Sequence, residues 1–121
     1  MAIGVQRLNR IHNQLAFPNR DQHDASPIET KLLEAFYRAG LEPVQQYGIA
    51  GYVVDFAFPR ARLAVEADGH DYHQDEAREK RRDEAIRRAG WHIVHFRGST
   101  IWRDPDTCVR SVYRLARSSL V

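Results

Sequence analysis

The stretch that decides the fold runs from residue 52 to residue 68 and reads YVVDFAFPRARLAVEAD. Two runs of β-branched, aromatic and small apolar residues flank a turn at residues 59–62, a pattern typical of a β-hairpin. Counting outward from this four-residue turn pairs Asp55 with Glu66. The hairpin is therefore expected to place two carboxylates opposite each other, on the same side of a sheet.

Two facing carboxylates are costly unless something neutralises them. Directly opposed side chains lie about 5 Å apart at Cβ, and at an effective dielectric near 20 their repulsion is about 3 kcal/mol. Mg²⁺ binds one or two carboxylates together with waters and phosphate oxygens, so Asp55 and Glu66 are candidate metal ligands. The alternatives are that the acids lie at a solvated strand edge, or that they pair with Arg60 or Arg62.

Further polar residues follow the second acid. Asp68 lies two residues after Glu66 and so on the same face, where it is either a third ligand or water-orienting group, or simply half of an Asp68-Gly69 turn. His73, and with less support His70, is a candidate general base because imidazole titrates near neutral pH.

A helix start precedes the hairpin. Ser26-Pro27-Ile28-Glu29 combines an N-cap serine, a proline in the first turn and a glutamate three residues after the cap, which is a capping box. The helix is expected to run to about Ala39 and to end at Gly40. Glu29 is fully explained as a capping residue, and it can also face a cation at the same time.

The remaining pattern predicts the order α-β-β-β-α-β-α. Strands are expected at Val44–Tyr47, Tyr52–Phe58, Leu63–Ala67 and Trp91–Phe96, and further helices at residues 74–89 and 104–118. Short connections make the first three strands antiparallel, and a crossover helix makes the fourth parallel to the third. This is an α/β fold with a mixed four-stranded sheet flanked by helices, in which Cys108, Val112 and Leu115 form the apolar stripe of the last helix.

Length and composition fit one domain. The 121 residues are 43% hydrophobic, enough for a single core at residues 26–121, preceded by an arm or short helix with a linker at residues 1–25. Cys108 is the only cysteine, which excludes a disulfide framework within the chain and favours a role as core filler in a reducing cytoplasm. The absence of a long apolar run predicts a soluble protein that does not enter membranes.

Charge is unevenly distributed along the chain. Residues 78–117 hold 11 Lys and Arg against 5 Asp and Glu, whereas residues 1–77 hold 7 against 11. A basic segment of this kind is either a solvated helix face or a surface for a polyanion such as DNA. Arg82 falls on the same helix side as Ile86, where an acid or a phosphate is its expected partner, and the other expected phosphate contacts are Lys80, Arg81 and Arg97.

An ordered set of motifs resembles a known family. In chain order the set comprises Ser26-Pro27-Ile28-Glu29, Val54-Asp55-Phe56, Val65-Glu66-Ala67-Asp68-Gly69 with His73, Arg82-Asp83, and Gly90-Trp91-His92-Ile93-Val94. Over about residues 26–117 it is similar to the uncharacterised Vsr-like endonuclease domains of the PD-(D/E)XK nuclease superfamily, relatives of the very-short-patch mismatch repair endonuclease.

The resemblance carries expectations about fold and chemistry. It implies a restriction-endonuclease-like αβββαβ core, here followed by a C-terminal helix, and Mg²⁺-dependent attack of water on a DNA phosphodiester. It also implies metal-binding roles for Asp55 and Glu66, with Glu29 as a supporting acid.

The chain departs from the superfamily pattern at two positions. The lysine expected two residues after the second acid is Asp68 here, although Vsr-like relatives often lack it too. A positive charge that assists the attacking water or the transition state would then come from His73, Lys80 or Arg82. His95 stands where an arginine is expected on the fourth strand, which leaves the role of that position open.

The expected function is that of a DNA endonuclease with Mg²⁺ as cofactor, for which Mn²⁺ is a substitute. The alternatives are a DNA-binding module without catalysis on the same fold, and a metal-dependent hydrolase of small phosphoesters. A monomer with one site would nick DNA, whereas double-strand cutting requires a homodimer. The sequence specifies neither the DNA site nor the pathway served.

Overall fold

A mixed four-stranded sheet with helices on both faces forms the structure, a computed structural model that describes residues 26–69 and 75–120. In chain order the elements are α1 (Pro27–Arg38), β1 (Val44–Ile49), β2 (Tyr52–Phe58), a 3-10 turn (Pro59–Ala61), β3 (Leu63–Asp68), α2 (Glu76–Arg88), β4 (His92–Arg97), α3 (Gly98–Arg103) and α4 (Pro105–Leu120). The strands lie in the order β1-β2-β3-β4. The first two pairings are antiparallel and β3 pairs with β4 in parallel, so the predicted fold is confirmed.

Helix α1 begins at the predicted capping box. Glu29 N donates to Ser26 Oγ, and Ser26 N donates to Glu29 Oε1, each over 3.2 Å. Gly40 follows the helix with φ +79°, a left-handed backbone that glycine adopts without steric cost. The helix buries Ile28, Leu32, Ala35 and Phe36.

The sheet separates two apolar clusters. The larger one joins α1, α3 and α4 to one face of the sheet, where the Phe36 ring packs edge-on against Phe56 and Phe58. The smaller one joins Ile86 of α2 to Val54, Ala57, Ala64 and Ile49. The hairpin β2–β3 is covered from both sides in this way, which fixes its orientation in the sheet. Nowhere in the described ranges does a helix have the length and apolar character needed to cross a membrane.

Some details of the prediction were wrong. Leu115 does not belong to the apolar stripe of α4, because it is 56% exposed, whereas Ala116 beside it is 2% exposed and packs in the core with Cys108 and Val112. Burial raises the pKa of the Cys108 thiol to about 11, in keeping with its predicted role as core filler. Helix α3 was not predicted, and β1 extends two residues further than expected, to Ile49. The arm at residues 1–25 lies outside the described residues.

Candidate active site

The end of the hairpin opposite its turn brings Asp55 and Glu66 together. The register Phe56 to Val65 confirms the predicted count, but the pairing of β2 with β3 stops there. Beyond it the side chains bridge the strands: Asp55 N donates to Glu66 Oε2 over 2.7 Å, and Ala67 N donates to Asp55 Oδ2 over 2.9 Å. Each carboxylate thus accepts a hydrogen bond that a strand carbonyl would otherwise take, so each has a partner for one oxygen.

Both acids are held in a setting that disfavours their negative charge. Burial and the neighbouring Glu66 carboxylate raise the pKa of Asp55 to about 7, with a further contribution from Glu29. Burial also raises the pKa of Glu66, although the Asp55 N–H and the Arg82 guanidinium counteract part of this effect. A cation placed between the two carboxylates would relieve this cost.

Arg82 of α2 is the partner of Glu66. Its Nη2 donates to Glu66 Oε1 over 2.7 Å and to the Val53 carbonyl over 2.9 Å, and its side chain is 19% exposed. The inward orientation predicted from the helix period is confirmed, since Ile86 on the same side is fully buried. The alternative pairing of the acids with Arg60 or Arg62 is wrong, because both arginines lie at the turn end of the hairpin.

A histidine that sequence reasoning left open lies in the same cleft. His95 Nδ1 is 3.0 Å from Asp68 Oδ2, and its Nε2 is 2.7 Å from Asp83 Oδ2. The hydrogen bond with Asp68 is the main cause that raises the pKa of His95 to about 9, against the effect of burial, and Asp83 adds to it. The imidazolium therefore donates to two carboxylates and ties β3 to α2. Asp68 accordingly has a side-chain partner, so its role is not limited to a turn with Gly69.

Glu29 approaches the acid pair from α1. Its Oε1 accepts the capping bond from Ser26 N, and its Oε2 accepts from Gln46 Nε2 over 3.4 Å. The capping function is therefore present, and the charge of Glu29 also acts on Asp55. The capping interpretation of Glu29 is confirmed, and its role beside a cation stays a prediction.

These side chains line one cleft of about 430 Å³. Its walls come from Ser26, Ile28, Glu29, Asp55, Glu66, Ala67, Asp68, Gly69, Glu79, Arg82 and His95. Within residues 26–69 and 75–120, no three His, Cys, Asp or Glu side chains form a ready-made metal cluster. The predicted general base His73, and His70 with it, lies outside the described residues.

The residues predicted to contact DNA fall into two groups. Lys80 and Arg81 on α2 and Arg97 at the end of β4 are exposed. Arg82 differs, because its guanidinium is bound to Glu66 and to a strand carbonyl inside the cleft. A phosphate contact by Arg82 would compete with these bonds, so we assign Arg82 to the acid cluster and not to the exposed basic surface.

Comparisons with known proteins agree with this architecture. The family model REase_MTES_1575 matches residues 28–115. An uncharacterized protein of Haemophilus influenzae strain Rd is 25% identical over 95 residues, which cover 74% of this chain and 78% of that protein. Among solved structures, the catalytic domain of the homing endonuclease I-Bth0305I aligns with a TM-score of 0.65 at 14% identity, over 80% of this chain and all of that domain. The structural likeness shows a restriction-endonuclease-like nuclease fold.

Proposed function

The chain belongs to the REase_MTES_1575 family, and we propose that it is a metal-dependent deoxyribonuclease that hydrolyses DNA phosphodiester bonds. The observation that carries the proposal is the partly buried Asp55–Glu66 pair, held side by side in a cleft. Asp55 accepts a single hydrogen bond, which an amide could accept as well, so the fold does not require its charge beside that of Glu66.

The donor set fits a hard cation with few protein ligands. Mg²⁺ keeps several waters and binds through one or two carboxylates, so the lack of a larger cluster among the described residues agrees with it. Asp55 and Glu66 would hold the ion, and Mn²⁺ would substitute for it. Within the described residues, Asp55 Oδ1 accepts no hydrogen bond and remains open to a ligand. Glu66 Oε1 accepts from Arg82 Nη2, so Glu66 would act as a ligand while it remains paired with Arg82.

The bound cation would supply a more acidic water and stabilise the negative charge that develops on the phosphate. The chain's own residues then have separate tasks. Glu29 adds negative charge beside Asp55, and Arg82 keeps Glu66 turned into the cleft. Asp68, in the position where the superfamily has lysine, orients the attacking water, and His73 remains our candidate for the base that accepts its proton.

DNA would lie across the exposed basic residues next to the cleft. Lys80, Arg81 and Arg97 are exposed, which supports the proposal that they contact phosphates and so give affinity without sequence information. We also propose the finer kinship with Vsr-like repair endonucleases, on the strength of the ordered motifs. A monomer would nick one strand, and cutting both strands would require a homodimer.

One observation favours a second candidate function. Asp68 replaces the superfamily lysine, so that position offers no positive charge to assist the transition state, and Asp68 is itself bound to His95. A DNA-binding module that has lost cleavage would have the same features. The third alternative, hydrolysis of a small phosphoester, has no comparable support.

Plasmid cleavage separates these candidates. The wild type should convert supercoiled plasmid to the nicked form with millimolar Mg²⁺ and should stop when a chelator is added. Asp55→Asn should bind the plasmid and leave it intact, while Arg60→Ala, at the remote turn, should cleave like the wild type. Binding by the wild type without Mg²⁺-dependent nicking would refute the nuclease and favour the binding module.

A further inference from the structure

Strand β1 contains a backbone conformation that glutamine rarely adopts. Gln46 has φ +51° in the middle of the strand, in the left-handed region where a side chain clashes with the backbone. The pairing of β1 with β2 joins Gln45 to Phe56 and Tyr47 to Val54, and skips Gln46 and the residue opposite it, Asp55. The distortion therefore lies directly beside the acid pair.

The skipped pair coincides with a change of phase in β2. Val54 and Ala57 pack in the same apolar cluster although they are three residues apart, whereas strict alternation would place them on opposite faces. Asp55 lies within this break, and its carboxylate reaches sideways to the Ala67 N–H of β3. Gln46 and Asp55 thus leave the regular strand geometry together.

The Gln46 side chain ends at a second acid of the cleft. Its Nε2 donates to Glu29 Oε2 over 3.4 Å, while Ser26 N donates to Glu29 Oε1. Two elements, the start of α1 and strand β1, therefore hold the two oxygens of one carboxylate. Glycine would adopt this backbone without strain and asparagine with little, but glycine has no amide and asparagine is one methylene shorter. Gln46 thus combines a strained backbone with an amide that reaches Glu29.

We propose that Gln46 is a positioning residue of the cation site, which fixes Glu29 toward Asp55 through its amide and opens the β1–β2 pairing at Asp55 through its backbone. This inference rests on the proposed function, because Glu29 and Asp55 matter to a cation only if the cleft binds one. Strain at a functional site is tolerated where the surrounding structure enforces it, here by paired residues on both sides of the skip.

The test compares Gln46→Gly and Gln46→Asn with the wild type. Both should melt in chelator at the wild-type temperature or above, since both relieve the strained backbone. Both should nonetheless require about three- to tenfold more Mg²⁺ for half-maximal plasmid nicking, as expected for the loss of one hydrogen bond to the Glu29 carboxylate. Ala50→Gly is the matched control, because Ala50 has a similar φ of +53° in the β1–β2 turn. It should relieve strain and leave the Mg²⁺ requirement unchanged.

The route through Glu29 is tested by combining substitutions. Glu29→Gln keeps the capping oxygen, so Gln46→Gly should raise the Mg²⁺ requirement in the wild type and have no further effect beside Glu29→Gln. A normal Mg²⁺ requirement in Gln46→Gly, or the same effect in both backgrounds, would overturn the inference while the nuclease proposal stands. A wild type that neither binds Mg²⁺ in calorimetry nor nicks plasmid would refute the proposed function and this role with it.

Discussion

Replacing Asp55 with asparagine should change the stability of the fold and the activity of the cleft in opposite directions. The asparagine oxygen can still accept from Ala67 N, so the interstrand hydrogen bond is kept. The change removes a charge that burial and the Glu66 carboxylate make unfavourable. The metal-free variant should therefore be more stable than the wild type at pH 8, while cleavage is lost.

The magnitude follows from the pKa of Asp55, which rises from 3.8 to about 7 on folding. If the whole shift acted on stability, the Asp55 charge would lower the free energy of unfolding by about 4 kcal/mol. Because the carboxylate borders an open cleft and shares its titration with Glu66, we expect Asp55→Asn to raise the free energy of unfolding by about 2 kcal/mol. The folded state binds the proton more tightly than the unfolded state, so this destabilisation is absent below about pH 4, grows as pH rises, and is complete above about pH 7.

Urea unfolding of both proteins in chelator, at several pH values between 4 and 8, measures this difference directly. Taking the difference between the two proteins cancels the titration of His95, which both share. Asp106→Asn, an exposed acid in the first turn of α4, should change stability by less than about 0.5 kcal/mol. Adding Mg²⁺ should stabilise the wild type by mass action and leave Asp55→Asn unchanged.

Two outcomes would refute this reasoning. An Asp55→Asn variant that is less stable than the wild type at pH 8 would mean that the Asp55 charge is satisfied by the fold. A stability difference that does not vary between pH 4 and 8 would mean that Asp55 titrates normally. Either result would remove the physical argument for a cation at this pair.

Three further predictions concern other parts of the cleft. Glu66→Gln removes the ion pair with Arg82 and also the repulsion of Asp55, so its stability in chelator should stay within about 1 kcal/mol of wild type while plasmid nicking is lost. Retained nicking would contradict a metal role for Glu66. The His95 imidazolium stabilises the fold fully below pH 6.5 and ceases to do so as pH rises through about 9, so the stability gap between wild type and His95→Gln in urea should shrink by about 2 kcal/mol over that range. A constant gap would contradict the paired imidazolium. Lys80→Ala with Arg81→Ala should weaken duplex binding equally for all sequences and lower the salt slope by about one to two; an unchanged slope would exclude phosphate contacts there.

The hairpin was predictable because its register depends on local features. The turn length and the apolar residues on both strands determine the pairing, and the count from the turn correctly brought Asp55 to Glu66. The count could not show that backbone pairing stops before these residues. Nor could it show the distortion of β1 beside Asp55, because no sequence rule assigns glutamine a left-handed backbone.

Features that depend on the docking of whole elements were not predictable in the same way. His95 meets Asp68 and Asp83 only because β4 lies parallel to β3 in a particular register and α2 presents Asp83 above it. The sequence predicted the parallel crossover but not that register. In α4, Leu115 and Ala116 are both compatible with a stripe through Val112, and packing against α1 selects the smaller residue.

The two oxygens of each central carboxylate have different roles. One oxygen of Asp55 and one of Glu66 accept interstrand N–H groups and so complete the hairpin where its carbonyls no longer pair. The second oxygen of Glu66 faces Arg82, and the second oxygen of Asp55 has no hydrogen-bond partner among residues 26–69 and 75–120. The fold therefore needs only one acceptor from Asp55, which an amide would also provide, so the negative charge of Asp55 adds cost without adding a hydrogen bond, whereas the charge of Glu66 also pairs with Arg82. The proposed cation would supply an opposite charge to Asp55, which accounts for a carboxylate at that position.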